Sequence, residues 1–140
     1  MTQLDANGNR HTWFYDAASQ VVAESNAVGE ITVDAYDVVG NLTNRVDGEG
    51  METFVEYDAM NRPVALGSGT LRYEYAYDLG GRRTSMCTRV DGAITETTAY
   101  AHDLNDRLLA KIDPSGYVLA YEYDAAGHRA RFSITNVLDI

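Results

Sequence analysis

The chain has 140 residues, 45% hydrophobic and 23% charged, with a formal net charge of −10. That length suits one ordinary domain, and the composition excludes disordered and collagen-like classes. No apolar run reaches the roughly 18 residues that a membrane-spanning helix needs, and the negative charge repels polyanions, so nucleic acid is not an expected partner.

Taken in chain order, the first segment, "MTQLDANGNR", lacks the basic-then-apolar layout of a secretory signal. "WFYDAASQVVA" then carries a tyrosine–aspartate pair at Tyr15–Asp16. The pair returns in "DAYDVVGNLTN" (Tyr36–Asp37), "FVEYDAMNRPVAL" (Tyr57–Asp58) and "EYAYDLGGRRTS" (Tyr77–Asp78). "YAHDLNDRLLA" holds a softened copy, His102–Asp103, and "YEYDAAGHRAR" closes the series at Tyr123–Asp124. The steps are 21, 21, 20, 25 and 21 residues, so the chain is a repeat array.

Between the pairs lie "DANG", "NAVG", "DGEG" and "DPSG", each ending seven residues before the next tyrosine, with "GSG" at Gly67–Gly69 and Asp91–Gly92 as irregular members. A turn signal every ten to eleven residues predicts short antiparallel strands joined by tight turns.

Four residues after each tyrosine or histidine stand Ser19, Gly40, Asn61, Gly81, Asp106 and Gly127. Five of the six are types that tolerate a positive backbone φ. An aspartate, two free residues and then a left-handed residue describe a type I turn closed by a bulge, with the carboxylate accepting backbone N–H groups. One residue further on are Gln20, Asn41, Arg62, Arg82, Arg107 and His128, placed to bond the turn or to stack on a neighbouring ring. Two residues before the tyrosine stand Trp13, Asp34, Val55, Tyr75, Tyr100 and Tyr121. Together with the stripe Tyr73, Tyr75 and Tyr77 they predict a sheet with a broad tyrosine face.

"YDAAGHRA", "YDVVGNLT" and "YDLGGRRT", spaced at this period, resemble the YD repeats of the Rhs family, found in bacterial polymorphic toxins, wall-associated proteins, insecticidal toxin complexes and teneurins. The repeat signature falls on Tyr15, Asp16, Tyr36, Asp37, Gly40, Tyr57, Asp58, Arg62, Tyr77, Asp78, Gly81, Arg82, His102, Asp103, Arg107, Tyr123, Asp124 and Gly127. The resemblance implies successive β-hairpins wound into a hollow shell around a toxic domain, or a surface scaffold. Ser19 and Asp106 depart from the turn glycine, which predicts looser turns there, and the 25-residue step predicts a connection that bulges outward. "DPSG" at Asp113 sits in an ordinary turn position, so the self-cleaving aspartate role known in toxin-bearing members is not carried over to it.

No catalytic constellation emerges. His11, His102 and His128 belong to different copies, the single cysteine Cys87 has no partner for an intrachain disulfide, and the G-x-S-x-G elbow is absent. Asp5, Asn7, Asn9 and Asp16 are spaced like an EF-hand loop, yet Arg10 occupies the position where that loop needs glycine. We therefore expect no enzyme activity, no cofactor and no metal.

The expected fold is all-β: tandem hairpins in one long, twisted antiparallel sheet of about twelve strands, an open segment of a β-shell. Residues 1–140 are read as a single array of six copies, the first and last incomplete. The expected role is the wall of a shell or scaffold in a secreted or surface protein. Its partners would be further repeats, copies of itself through the sheet edges, or an enclosed toxin domain. The alternative is a carbohydrate- or cell-surface-binding module that uses Tyr73, Tyr75 and Tyr121.

Overall fold

The computed structural model describes residues 1–4, 6–8 and 10–136. Among these every regular element is a β-strand: β1 (Thr2–Leu4), β2 (Arg10–Tyr15), β3 (Val21–Ser25), β4 (Ile31–Tyr36), β5 (Leu42–Val46), β6 (Glu52–Tyr57), β7 (Pro63–Ser68), β8 (Leu71–Tyr77), β9 (Arg83–Val90), β10 (Ala93–His102), β11 (Leu108–Ile112), β12 (Tyr117–Tyr123) and β13 (Arg129–Asn136). The hydrogen-bonded order of the 13 strands is their order in the chain, without a crossover. Connections of two to five residues between successive strands favour this meander, because each strand's nearest partner is the one just made.

Two compact units divide the chain, Met1–Arg72 and Tyr73–Ile140. In the first, the pairing of β6 with β7 sets Phe54 opposite Gly67 and Val55 opposite Leu66. A Cβ on Gly67 would lie 2.2 Å from the Leu71 carbonyl oxygen and 2.9 Å from Cζ of Phe54, so only glycine lets the neighbouring chain and this ring close over it. Beside it Ala65 is 1% exposed, the one buried apolar residue among those described. Among the described residues no large side chain is fully buried.

In the second unit the 25-residue step is absorbed by strand length. β9 and β10 run 8 and 10 residues and meet at a two-residue tip, Asp91–Gly92, where both residues have positive φ. The extra residues thus stay paired in a longer hairpin instead of forming a loop. A bulge between Ile94 and Glu96 is the irregularity in that pairing.

Candidate functional site

The repeating feature is the turn that follows each tyrosine or histidine. At Asp58 the backbone N–H donates to the Arg62 carbonyl (3.0 Å), and Asn61 N–H donates back to the Asp58 carbonyl (3.0 Å). Oδ1 of the same aspartate accepts from Met60 N–H (2.9 Å) and Arg62 N–H (3.0 Å). One carboxylate thus satisfies two donors that the turn leaves without a ladder partner. Asp16, Asp37, Asp103 and Asp124 repeat this pattern. Asp78 makes the same backbone pair, and its Oδ1 accepts from Arg82 N–H (3.0 Å).

Each residue at the fourth position has positive φ: Ser19 66°, Gly40 96°, Asn61 59°, Gly81 85°, Asp106 63° and Gly127 85°. The register shifts at the tyrosine or histidine in the hairpins of Tyr15, Tyr36, Tyr57, His102 and Tyr123, the signature of a bulge. The turns of Ser19 and Asp106 close their backbone bond at 3.2 Å, as that of Gly40 does, against 3.0 Å at Asn61, Gly81 and Gly127. The carboxylate accepts the same N–H groups whichever residue stands fourth, so the turn holds its form without glycine.

In the turns that join one copy to the next the same device is built on Asn26, Asp47 and Asp113. The Asp113 carboxylate is engaged by Ser115 and Tyr117 N–H at 2.9 Å each. Asp5 and Asn9 lie outside the described residues, as do Val137 to Ile140.

Oδ2 of the turn aspartate faces the fifth position. Nε of Arg62, Arg82 and Arg107 donates to Asp58, Asp78 and Asp103 at 2.6–2.7 Å. Asn41 makes the equivalent bond to Asp37 at 2.9 Å, while His128 Nδ1 stands 3.4 Å from Asp124. These contacts hold several carboxyls below the ordinary aspartate value: Asp37 chiefly through the Asn41 amide, and Asp58 chiefly through the Arg62 guanidinium. For Asp78 and Asp103 the main cause is the backbone N–H of Arg82 and Arg107 respectively.

The fifth residue also reaches the following copy. Asn41 donates to Asn61 Oδ1 (3.0 Å), and Arg82 Nη1 donates to the Asp103 carbonyl and meets Asp106 Oδ1 at 3.2 Å. Arg107 lies 4.7 Å above the Tyr123 ring.

The tyrosines look the other way along the chain. Tyr36, Tyr57 and Tyr123 hydroxyls donate to the carbonyls of Val21 (2.9 Å), Leu42 (3.1 Å) and Leu108 (2.9 Å), each fifteen residues earlier. Those carbonyls sit just past the preceding copy's turn. The ladder between copies does not reach them: β3 and β4 pair from Ala23↔Val33 onward, β5 and β6 from Asn44↔Phe54. The phenol therefore fills the gap that the bulge opens. Tyrosine and aspartate stand side by side because one closes its own turn and the other closes its neighbour's.

Of the three rings read as a ligand face, Tyr75 carries the Arg83 guanidinium at 4.6 Å and Tyr121 carries Arg129 at 5.8 Å. Tyr73 is half-buried. A cross-strand pair escaped the sequence reading: Asp34, 7% exposed, accepts Nε and Nη2 of Arg45 at 2.7 Å each. The signal was present, since Asp34 breaks an otherwise apolar and aromatic position, but its partner depends on a strand register that spacing alone does not supply. Among the described residues no group of three or more His, Cys, Asp or Glu is gathered as a metal site.

Residues 102–135 match the family model of the RHS repeat. The chain carries an RHS repeat. The turn bonds of the matched stretch, built on Asp103 and Asp124, are those found at Asp16, Asp37 and Asp58 outside it.

No curated protein is similar enough in sequence to match. Among solved structures, the crystal structure of TcdB2–TccC3–TEV superposes with a TM-score of 0.73 at 19% identity, covering 86% of this chain and 7% of that one. TcdB2–TccC3 without its hypervariable C-terminal region gives 0.76 at 14% identity, over 97% of this chain and 8% of that one. The Photorhabdus luminescens Tc holotoxin pore gives 0.58 at 16% identity, over 93% and 9%. At these identities the likeness is one of fold, and the RHS-repeat chain spans less than a tenth of each of these structures.

Proposed function

We propose that this chain is a non-catalytic stretch of wall, a single array of six RHS copies within a larger secreted or surface toxin-type protein whose shell encloses a toxic domain. The observation that carries this reading is the way each copy is completed by its neighbour. Phenols reach back to the preceding copy, and fifth-position side chains reach forward to the next. Such units gain stability only in tandem, as in other repeat proteins. Among the described residues the turn aspartates Asp16, Asp37, Asp58, Asp103 and Asp124 each hold two backbone N–H groups. The fold shared with TcdB2–TccC3 chains more than ten times longer supports the same reading.

A piece of wall has two open strand edges, and open edges recruit strands. The test is solution mass by light scattering over a concentration series, with aspartate-to-alanine variants of the six turns measured in parallel. We expect concentration-dependent association, and graded stability losses copy by copy. A chain that stays strictly monomeric, or one turn whose loss abolishes a chemical turnover while its neighbours' loss does not, would overturn the proposal.

A further inference from the structure

We propose that the outer edge of β10, from Ala93 to Thr98, is a strand-addition site for a cationic, extended segment of another polypeptide. β10 pairs with β9 from Ala93↔Val90 to Ala99↔Ser85. On its other side β11 pairs only from Ala99↔Ile112 to His102↔Leu108. The chain then turns away at Asp113 toward β12. Ala93 to Thr98 consequently have no strand partner on their outer side among the described residues, and Ala93 to Thr97 are exposed.

What remains is a vacant strand position in line with β11. It is six residues long, about 20 Å at the usual rise of a strand. Only an extended backbone can match such a row of N–H and C=O groups. The sequence "AITETT" is rich in β-branched residues and lacks the lysine or proline with which natural edge strands usually protect themselves. Its one irregularity, the bulge at Thr95, is tied inward, with the hydroxyl donating to the Thr88 carbonyl at 3.2 Å.

Charge selects the occupant. Glu96 on the edge and Asp91 at the hairpin tip are exposed carboxylates. The nearby Arg89 is committed, with Nε on Glu74 (2.8 Å) and Nη1 on the Gly92 carbonyl (3.0 Å). A second copy of this chain, at a net charge of −10, is a poor fit beside these carboxylates, so association between copies is expected at the outermost strands and not here. The two arginines that open β13 are already placed, Arg129 over Tyr121 and Arg131 by Glu122 (3.6 Å).

The probe is an eight-residue peptide of alternating lysine and threonine. Its two controls are the same peptide with alternate backbone amides N-methylated and a version with glutamate for lysine. Amide hydrogen exchange and fluorescence anisotropy are read on the whole chain. We expect the lysine peptide to slow exchange at Ala93 to Thr98, N-methylation to abolish the effect, and the glutamate peptide to bind at least tenfold more weakly. Glu96→Lys, on an exposed residue, should keep the circular dichroism of the parent and invert that preference. Absence of binding at millimolar peptide, binding indifferent to N-methylation, or protection on β13 instead would overturn the proposal. So would protection of Ala93 to Thr98 that grows with protein concentration in the absence of peptide, because a second copy would then hold the edge.

Discussion

The pair Asp34–Arg45 is asymmetric, and its two halves should respond differently to removal. The Asp34 side chain is 5% exposed and that of Arg45 53%. Replacing Arg45 with methionine leaves a carboxylate in the sheet without its two charge-assisted bonds. Breaking a buried pair in this way costs about 3–5 kcal/mol. Here the partner's exposure lets water replace part of it, which brings the expected loss to about 2–3 kcal/mol. Replacing Asp34 with valine instead leaves an arginine that can turn into solvent, at a position filled by Val55 or by an aromatic ring in the other copies. That change should cost less than about 1 kcal/mol. Trp13, the single tryptophan, lies in the same unit and reports its unfolding by fluorescence in urea. With a slope of about 1–3 kcal/mol per molar urea, Arg45→Met should lower the midpoint by about 0.7–3 M and Asp34→Val by much less. Equal losses, or a larger loss from Asp34→Val, would refute the argument from burial.

Tyr57→Phe removes the bond to the Leu42 carbonyl but keeps the ring; a loss of about 0.5–1.5 kcal/mol is expected in the same urea assay, and no loss would mean that water serves the carbonyl equally well. Ser19→Gly should stabilise by up to about 1 kcal/mol, since Ser19 holds a φ of 66° and its turn bonds come from Asp16 rather than from its own side chain; a lowered melting temperature would contradict this. Asp37, Asp58, Asp78 and Asp103 all ionise below the ordinary 3.8 in the folded chain. Their contribution is therefore fully present above that value and is lost as pH falls from it through the lower folded values. Acid titration followed by Trp13 fluorescence and circular dichroism should show unfolding in that window, made shallower by Asp58→Asn; a transition centred near neutral pH would point to other groups.

The fold was legible because its rules are local. Asp58 to Arg62 contain every atom of their own turn, so residue types at fixed offsets were enough to read it, and the period of about 21 then set the strand order. The 25-residue step could be counted but not placed, because a few extra residues lengthen a hairpin or a loop with equal ease; the two-residue tip at Asp91–Gly92 decided for the hairpin. The sequence singled out tyrosine but could not say what its hydroxyl meets. Val21, Leu42 and Leu108 offer backbone carbonyls, which carry no side-chain signature, and which carbonyl is left over depends on the bulge and the register. Asp34 and Arg45 were hidden for the same reason, being eleven residues apart and opposite only once the strands are aligned.

The phenol that reaches back fifteen residues has a consequence for how such a chain can change over time. A duplication or loss of one whole period leaves every tyrosine with a carbonyl behind it and every bulge with a phenol ahead. A break at half a period strands both. Growth in steps of two strands is therefore nearly neutral, whereas single-strand changes meet immediate cost. The longer β9–β10 hairpin shows where smaller increments are admitted: at the tip away from the tyrosine turns, ahead of the copy in which His102 takes the tyrosine's place. An arrangement of this kind lets length drift by copying while the joint between copies stays fixed.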